Sequence, residues 1–204
     1  MARLILVRHG QIAANLAGIW HDSTDSPLTD IGREQARRVG ERLRSQTAAA
    51  EYRPVHIVSS PLERTRHTAE AIGAALGLQP HLEQDLREYA IGVLEGTPYQ
   101  ALVDEHRFFD KVRKDHGYAP PGGESLADVC RRVVEALARS ANAYQGEDVI
   151  VVGHGAAIGV ALGSLLDGDP TRWNHYGIKN CSITELCLQP RPKVLRLNDI
   201  AHLL

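Results

Sequence analysis

At 204 residues the chain is long enough for one domain of more than average size, or for one domain carrying an inserted cap. Its apolar share of 43% and charged share of 24% are those of an ordinary globular protein, and a net charge of -2 gives neither nucleic acid nor an anionic membrane anything to hold. Three cysteines, Cys130, Cys181 and Cys187, form no C-x-x-C pair, and the apolar start is too short for a signal-peptide core, so a cytoplasmic protein is expected.

Leu4 to Val7 reads as a buried strand that stops at Arg8-His9-Gly10. Thr29 or Asp30 caps a helix that runs through Arg44, with Ala36, Val39, Gly40 and Leu43 on one face. Val55 to Val58 is a second strand, and Pro61 opens a second helix that ends near Gly77. Glu83 to Gly96 has loop character. Tyr99 to His116 reads as a polar helix, and Tyr118 to Gly123 breaks it. A long helix follows from about Ser125 to Tyr144, then a third buried strand from Asp148 to Val152, ended by Gly153-His154-Gly155. Ala156 to Leu166 is helical, and Ser182 to Leu188 and Val194 to Leu197 are late strands. The alternation implies an α/β three-layer sandwich, a mainly parallel sheet with helices on both faces. Residues 1–204 read as one domain, with a short helical cap insertion at about 97–122 over the site.

Val7-Arg8-His9-Gly10 and Val152-Gly153-His154-Gly155 have one form: a buried strand, a histidine, a glycine. In a parallel sheet both lie at carboxyl ends, where ligands bind. A third strand end leads into Ser59-Ser60-Pro61-Leu62-Glu63-Arg64, which puts Arg64 in the first turn of a helix at the same edge. Two arginines and two histidines around one crevice suit a dianionic phosphoryl group. His56 reads as an ordinary buried or half-buried histidine, and Trp20, Phe108, Phe109 and Tyr118 serve either an apolar rim or the core.

These residues resemble the motifs of the histidine phosphatase superfamily, the phosphoglycerate mutase-like family. Leu6-Val7-Arg8-His9-Gly10 with Asn15 is similar to its R-H-G motif. Asp25-Ser26-Pro27-Leu28-Thr29 with Gly32, Ser59 to Thr65, Leu86-Arg87-Glu88 with Gly92 and Glu95-Gly96, Pro121 to Ser125, and Val152 to Gly155 follow in the family's order. The resemblance implies that His9 is the nucleophile, forming a phosphohistidine that water hydrolyses. It implies that Arg8, Arg64 and His154 surround the phosphoryl oxygens and that Asn15 adds a neutral donor. Cationic neighbours would keep His9 neutral, and the glycine after each histidine would let the backbone approach the phosphate. Glu88 is the expected proton donor to the leaving alcohol, with Glu83, Asp85 and Glu95 as the carboxylates that compete for the role.

Where relatives often carry a glycine-containing turn that touches the substrate, this chain has His21-Asp22. Asn15, His21, Asp22 and Gly155 therefore complete the candidate substrate contacts. An aspartate facing a phosphate would repel it, so Asp22 is expected to turn away or to meet a cationic part of the substrate. The expected activity is metal-independent hydrolysis of a small phosphate monoester, with no cofactor and with homodimerisation left open. A phosphoglycerate mutase is the alternative, although mutases of this chemistry carry a larger insertion between the acid and the Gly-Gly-Glu-Ser segment. A catalytically weak binding or regulatory member is the third reading.

Overall fold

The computed structural model describes residues 2–204. Six strands form one sheet in the order β3-β2-β4-β1-β5-β6, where β1 is Arg3–Arg8, β2 Pro54–Ser59, β3 Pro80–Leu82, β4 Asp148–Gly153, β5 Ile183–Cys187 and β6 Lys193–Asp199. The first four are mutually parallel, β5 runs antiparallel to β1, and β6 antiparallel to β5. Seven α-helices accompany them: α1 Ala13–Ala17, α2 Asp30–Ala48, α3 Glu63–Leu76, α4 Tyr99–Asp104, α5 Phe108–Lys114, α6 Leu126–Ala143 and α7 Gly155–Leu162.

Successive residues of a strand face opposite sides of the sheet, so a strand covered on both faces is apolar throughout. In β1, Leu4 and Leu6 join the core beneath α6 and α7, whereas Ile5 and Val7 join the core beneath α2 and α3. Two cores on either side of one sheet make the three layers. The chain leaves β1 for β2 on one side and leaves β4 for β5 on the other. The crevice between these adjacent strands is thus the switch point at which open α/β sheets bind ligands.

Local chemistry explains the element boundaries. Thr29 caps α2, its hydroxyl accepting from the Gly32 amide at 3.0 Å, and Ser125 caps α6 by accepting from Asp128 at 3.1 Å. Helix α3 begins two residues after Pro61, because Asp25 reaches across to accept from the Glu63 amide at 2.8 Å. The single helix expected over Tyr99 to His116 is instead two, α4 and α5, separated by a turn in which Arg107 is left-handed with φ 49°. On one continuous helix Leu102 and Phe108 would lie about 120° apart. The turn lets both sink into the core, where they are 0% and 1% exposed. The short β3, the short α1 and a 3₁₀ segment over Pro170–Tyr176 were not anticipated from sequence pattern. Among the described residues no helix is long and apolar enough to cross a membrane.

Candidate active site

Pairing levels the ends of three strands. Val7 lies opposite Val152, and Val152 opposite Ser59. The ladder continues past the strands, with the His9 amide donating to the Gly153 carbonyl and the Ser60 amide to the Val152 carbonyl, both at 3.0 Å. His9 and His154 therefore emerge side by side although 145 positions apart, their ring centroids separated by 5.4 Å.

The His9 ring is buried, and its Nδ1 lies 2.7 Å from the Gly10 carbonyl oxygen. A carbonyl only accepts, so Nδ1 carries the proton and donates it there, and Nε2 is left as the unprotonated nitrogen. Burial, followed by the guanidinium groups of Arg8 and Arg64, holds the imidazole well below its ordinary range. His154 is also fully buried, with Nε2 2.8 Å from the Ser60 hydroxyl. Burial and then Arg64, His9 and Arg8 push it down in the same way.

The arginines are fixed by carbonyls. Arg8 donates from Nη1 to Ile178 at 2.6 Å. Arg64, wholly buried, donates to the carbonyls of Thr24 at 3.1 Å and Asp22 at 2.6 Å. Among the described residues each keeps a buried Nε–H with no acceptor, and His154 Nδ1 is likewise without a partner. Three buried polar nitrogens around one neutral imidazole fit the oxygens of a phosphoryl group.

Glu88 approaches from the loop after β3. Its carboxylate accepts from the Tyr89 amide at 2.9 Å and, at the start of α7, from the amides of Ala157 at 2.8 Å and Ala156 at 3.2 Å. Asn15 uses its oxygen internally, accepting from Ile12 and from Asn180 at 3.1 Å each, which leaves its amino group as the remaining donor.

The cleft in front of these groups has a volume of about 570 Å³. Arg8, His9, Asn15, His21, Glu88 and Gly155 line it, while Arg64 and His154 stand behind its wall. Asp22 does not join them. Its carboxylate is turned inward, accepting from the Ser23 amide and from the Ile91 amide at 2.6 Å, and is 1% exposed. Burial, and then the neighbouring Glu95 carboxyl, pushes Asp22 up to about 6. Glu95, one of the carboxylates that competed with Glu88, braces the same loop, accepting from the amides of Asp22 at 3.1 Å and Thr24 at 2.9 Å.

The two glycines also have a different reason from the one expected. A Cβ on Gly10 would stand 2.4 Å from the Gly32 carbonyl oxygen, so Gly10 admits the backbone of α2. A Cβ on Gly155 would stand 3.2 Å from Arg8 Cζ, so Gly155 makes room for the guanidinium. Sequence reasoning missed the wall formed by Trp173, Asn174, Ile178, Lys179 and Asn180. Asn180 donates to the His9 carbonyl at 2.9 Å, but a lysine and asparagine before a strand show no pattern in one dimension. Among the described residues no group of three or more His, Cys, Asp or Glu is gathered as a metal site.

The model of the histidine phosphatase superfamily (branch 1) matches residues 4–200. The chain belongs to this superfamily. A probable phosphoglycerate mutase GpmB of Yersinia enterocolitica is 35% identical over 211 residues, covering 100% of this chain and 95% of the relative. Among solved structures, a phosphoserine phosphatase of Entamoeba histolytica in complex with 3-phosphoglyceric acid superposes with a TM-score of 0.87 at 28% identity, over 100% of both chains. A mycobacterial glucosyl-3-phosphoglycerate phosphatase in complex with VO3 superposes with a TM-score of 0.82 at 30% identity, over 97% of this chain and 99% of the other. The histidine phosphatase fold is thus shared along the whole chain, with structural neighbours named as phosphatases and sequence relatives named as mutases.

Proposed function

We propose that this histidine phosphatase hydrolyses a small phosphate monoester through a phosphohistidine at His9, without a metal ion. The observation that carries the reading is the His9 imidazole: Nδ1 tied to the Gly10 carbonyl, Nε2 unprotonated, and Arg8, Arg64 and His154 around it. Nε2 attacks phosphorus, and the three cationic or polar neighbours take up the charge on the phosphoryl oxygens. The departing alkoxide takes its proton from Glu88. Water, losing a proton to the same carboxylate, then cleaves the phosphorus–nitrogen bond and frees His9. Asn15 and His21 contact the substrate from the cleft wall. The structural neighbours named as phosphatases support hydrolysis.

The second reading, a phosphoglycerate mutase, is favoured by the naming of the sequence relatives. It differs only in the acceptor, a substrate hydroxyl in place of water. Lys179 is exposed on the cleft wall, and no carboxylate lies within ion-pair range of it among the described residues. It offers an anchor for an anionic group on the leaving alcohol, as in the phosphorylated acids that the neighbours' names mention. We place the enzyme in the cytoplasm on its three free thiols.

The test uses 3-phosphoglycerate, phosphoserine and nitrophenyl phosphate with a chelator present. Free phosphate should appear, an acid-labile phosphoenzyme should be trapped, and His9→Ala should abolish both. Isomerised phosphoglycerate without free phosphate would establish the mutase instead. A phosphoenzyme that persists in His9→Ala would overturn the assignment of the nucleophile.

A further inference from the structure

Arg132 belongs to α6, outside the cleft, in a buried stripe with Val129, Val133 and Ala136. All five of its N–H donors are engaged. Nε and Nη2 bind the two oxygens of Glu124, each at 2.7 Å. Nη1 donates to the carbonyls of Asp85 at 2.8 Å and Arg87 at 2.7 Å, and Nη2 to the carbonyl of Glu88 itself at 2.8 Å. Glu124 closes the frame, accepting from the Ala90 amide at 3.2 Å while its own amide donates to the Ala90 carbonyl at 2.8 Å.

Residues 87–91, which this frame holds, belong to no helix or strand. The backbone of Glu88 is thus placed by side chains of α6 and its N-terminal flank, and its carboxylate by the amides of α7. The phosphoryl pocket stands on other elements: β1, β4 and α3 supply Arg8, His9, His154 and Arg64.

We propose that Arg132 and Glu124 are positioning residues for the proton transfer, setting the Glu88 carboxyl against the departing oxygen. This rests on the reading of Glu88 as the acid. A planar guanidinium matches three carbonyls and one carboxylate together, whereas an ammonium would serve only some of them. Removing it releases the loop and leaves Glu124 without its partner, while every hydrogen bond that holds Arg8, His9, Arg64 and His154 remains and His154 loses only the last and weakest of the charges that lower it. In kcat/KM, which ends at formation of the phosphohistidine and leaves out its hydrolysis by water, the effect should therefore follow the leaving group. A nitrophenolate leaves without needing a proton, and an alkoxide does not.

The experiment compares Arg132→Met, Glu88→Gln and the double variant on phosphoserine and on nitrophenyl phosphate. General acid catalysis is worth about 10²–10⁴ in rate, so Glu88→Gln should lose about that in kcat/KM on phosphoserine and much less on the aryl ester. Arg132→Met should lose roughly 10–100-fold in kcat/KM on phosphoserine, the usual result of displacing a reacting group by about 1 Å, with little change on the aryl ester. The double variant should be no slower on phosphoserine than Glu88→Gln. Equal losses on both esters in Glu88→Gln would remove the acid reading. A selective Glu88→Gln beside a non-selective Arg132→Met, or additive losses in the double variant, would overturn the positioning role alone. Should Arg132→Met fail to fold, Glu124→Gln keeps a contact to Ala90 and should show the same selective loss in smaller measure; equal losses there also overturn the proposal.

Discussion

Arg8 and Gly155 show how closely side chains are fitted at this site. The two lie on adjacent strand ends, and the guanidinium occupies the space a methyl group would need. Gly155→Ala should leave the fold intact, because the atoms it presses on are the far end of a long side chain. Arg8 would instead shift by a few tenths of an ångström, and kcat should fall about tenfold on alkyl and aryl phosphates alike. Thermal melting together with rates on both esters checks this. A loss confined to alkyl esters would place the disturbance at Glu88 rather than at the phosphoryl group. At this scale a residue that follows a buried strand, as His9 and His154 do, is legible in the sequence. Asn180 and Arg132, whose partners lie far away in the chain, and Lys179, which stands alone on the cleft wall, are not. Arg132 did leave one trace, a charged residue at a stripe position between Val129 and Ala136.

Among the elements, the contact of the β1 loop with α2 is the tightest. Gly10 and Gly32 meet backbone to backbone, and a Cβ at Gly10 would overlap a carbonyl oxygen that cannot move without its helix. Gly10→Ala should therefore cost stability, about 1–3 kcal/mol as for other overpacked sites, before it affects chemistry. Urea unfolding measures the loss; unchanged stability would mean that α2 slides freely. Elements were readable where their burial is one-sided or complete. Strands β1, β2 and β4 sit at the centre of the sheet, and α2 and α6 carry capping hydroxyls and apolar stripes. Strand β3 is three residues at the sheet's edge, too short for a period to show. The break between α4 and α5 is set by where two core positions, Leu102 and Phe108, must go, which local propensity does not encode.

In the molecule as a whole, burying neutral imidazoles ties stability to pH. His9 and His154 are both lowered in the folded protein, so between the ordinary value of 6.5 and their folded values the unfolded chain binds more protons. Stability then rises with pH, by about 1.4 kcal/mol per unit for each such histidine. Asp22, raised to about 6, works in the opposite direction as pH falls through 6, but it is one group against five, since His21, His56 and His202 are lowered as well. The protein should lose stability as pH drops from 7 to 5, seen as a lower urea midpoint, and His154→Asn should flatten the slope. A midpoint that rises over that range would mean the imidazoles are protonated in the fold.

Only two tryptophans occur in the chain, and both stand on the cleft wall, Trp20 edge-on to Trp173 with centroids 5.8 Å apart. The indole emission of the protein therefore comes entirely from the substrate's surroundings, with no distant fluorophore to dilute it. Occupation of the cleft should register directly in intrinsic fluorescence, so that phosphate, vanadate and each trial substrate can be titrated without a label and without turnover.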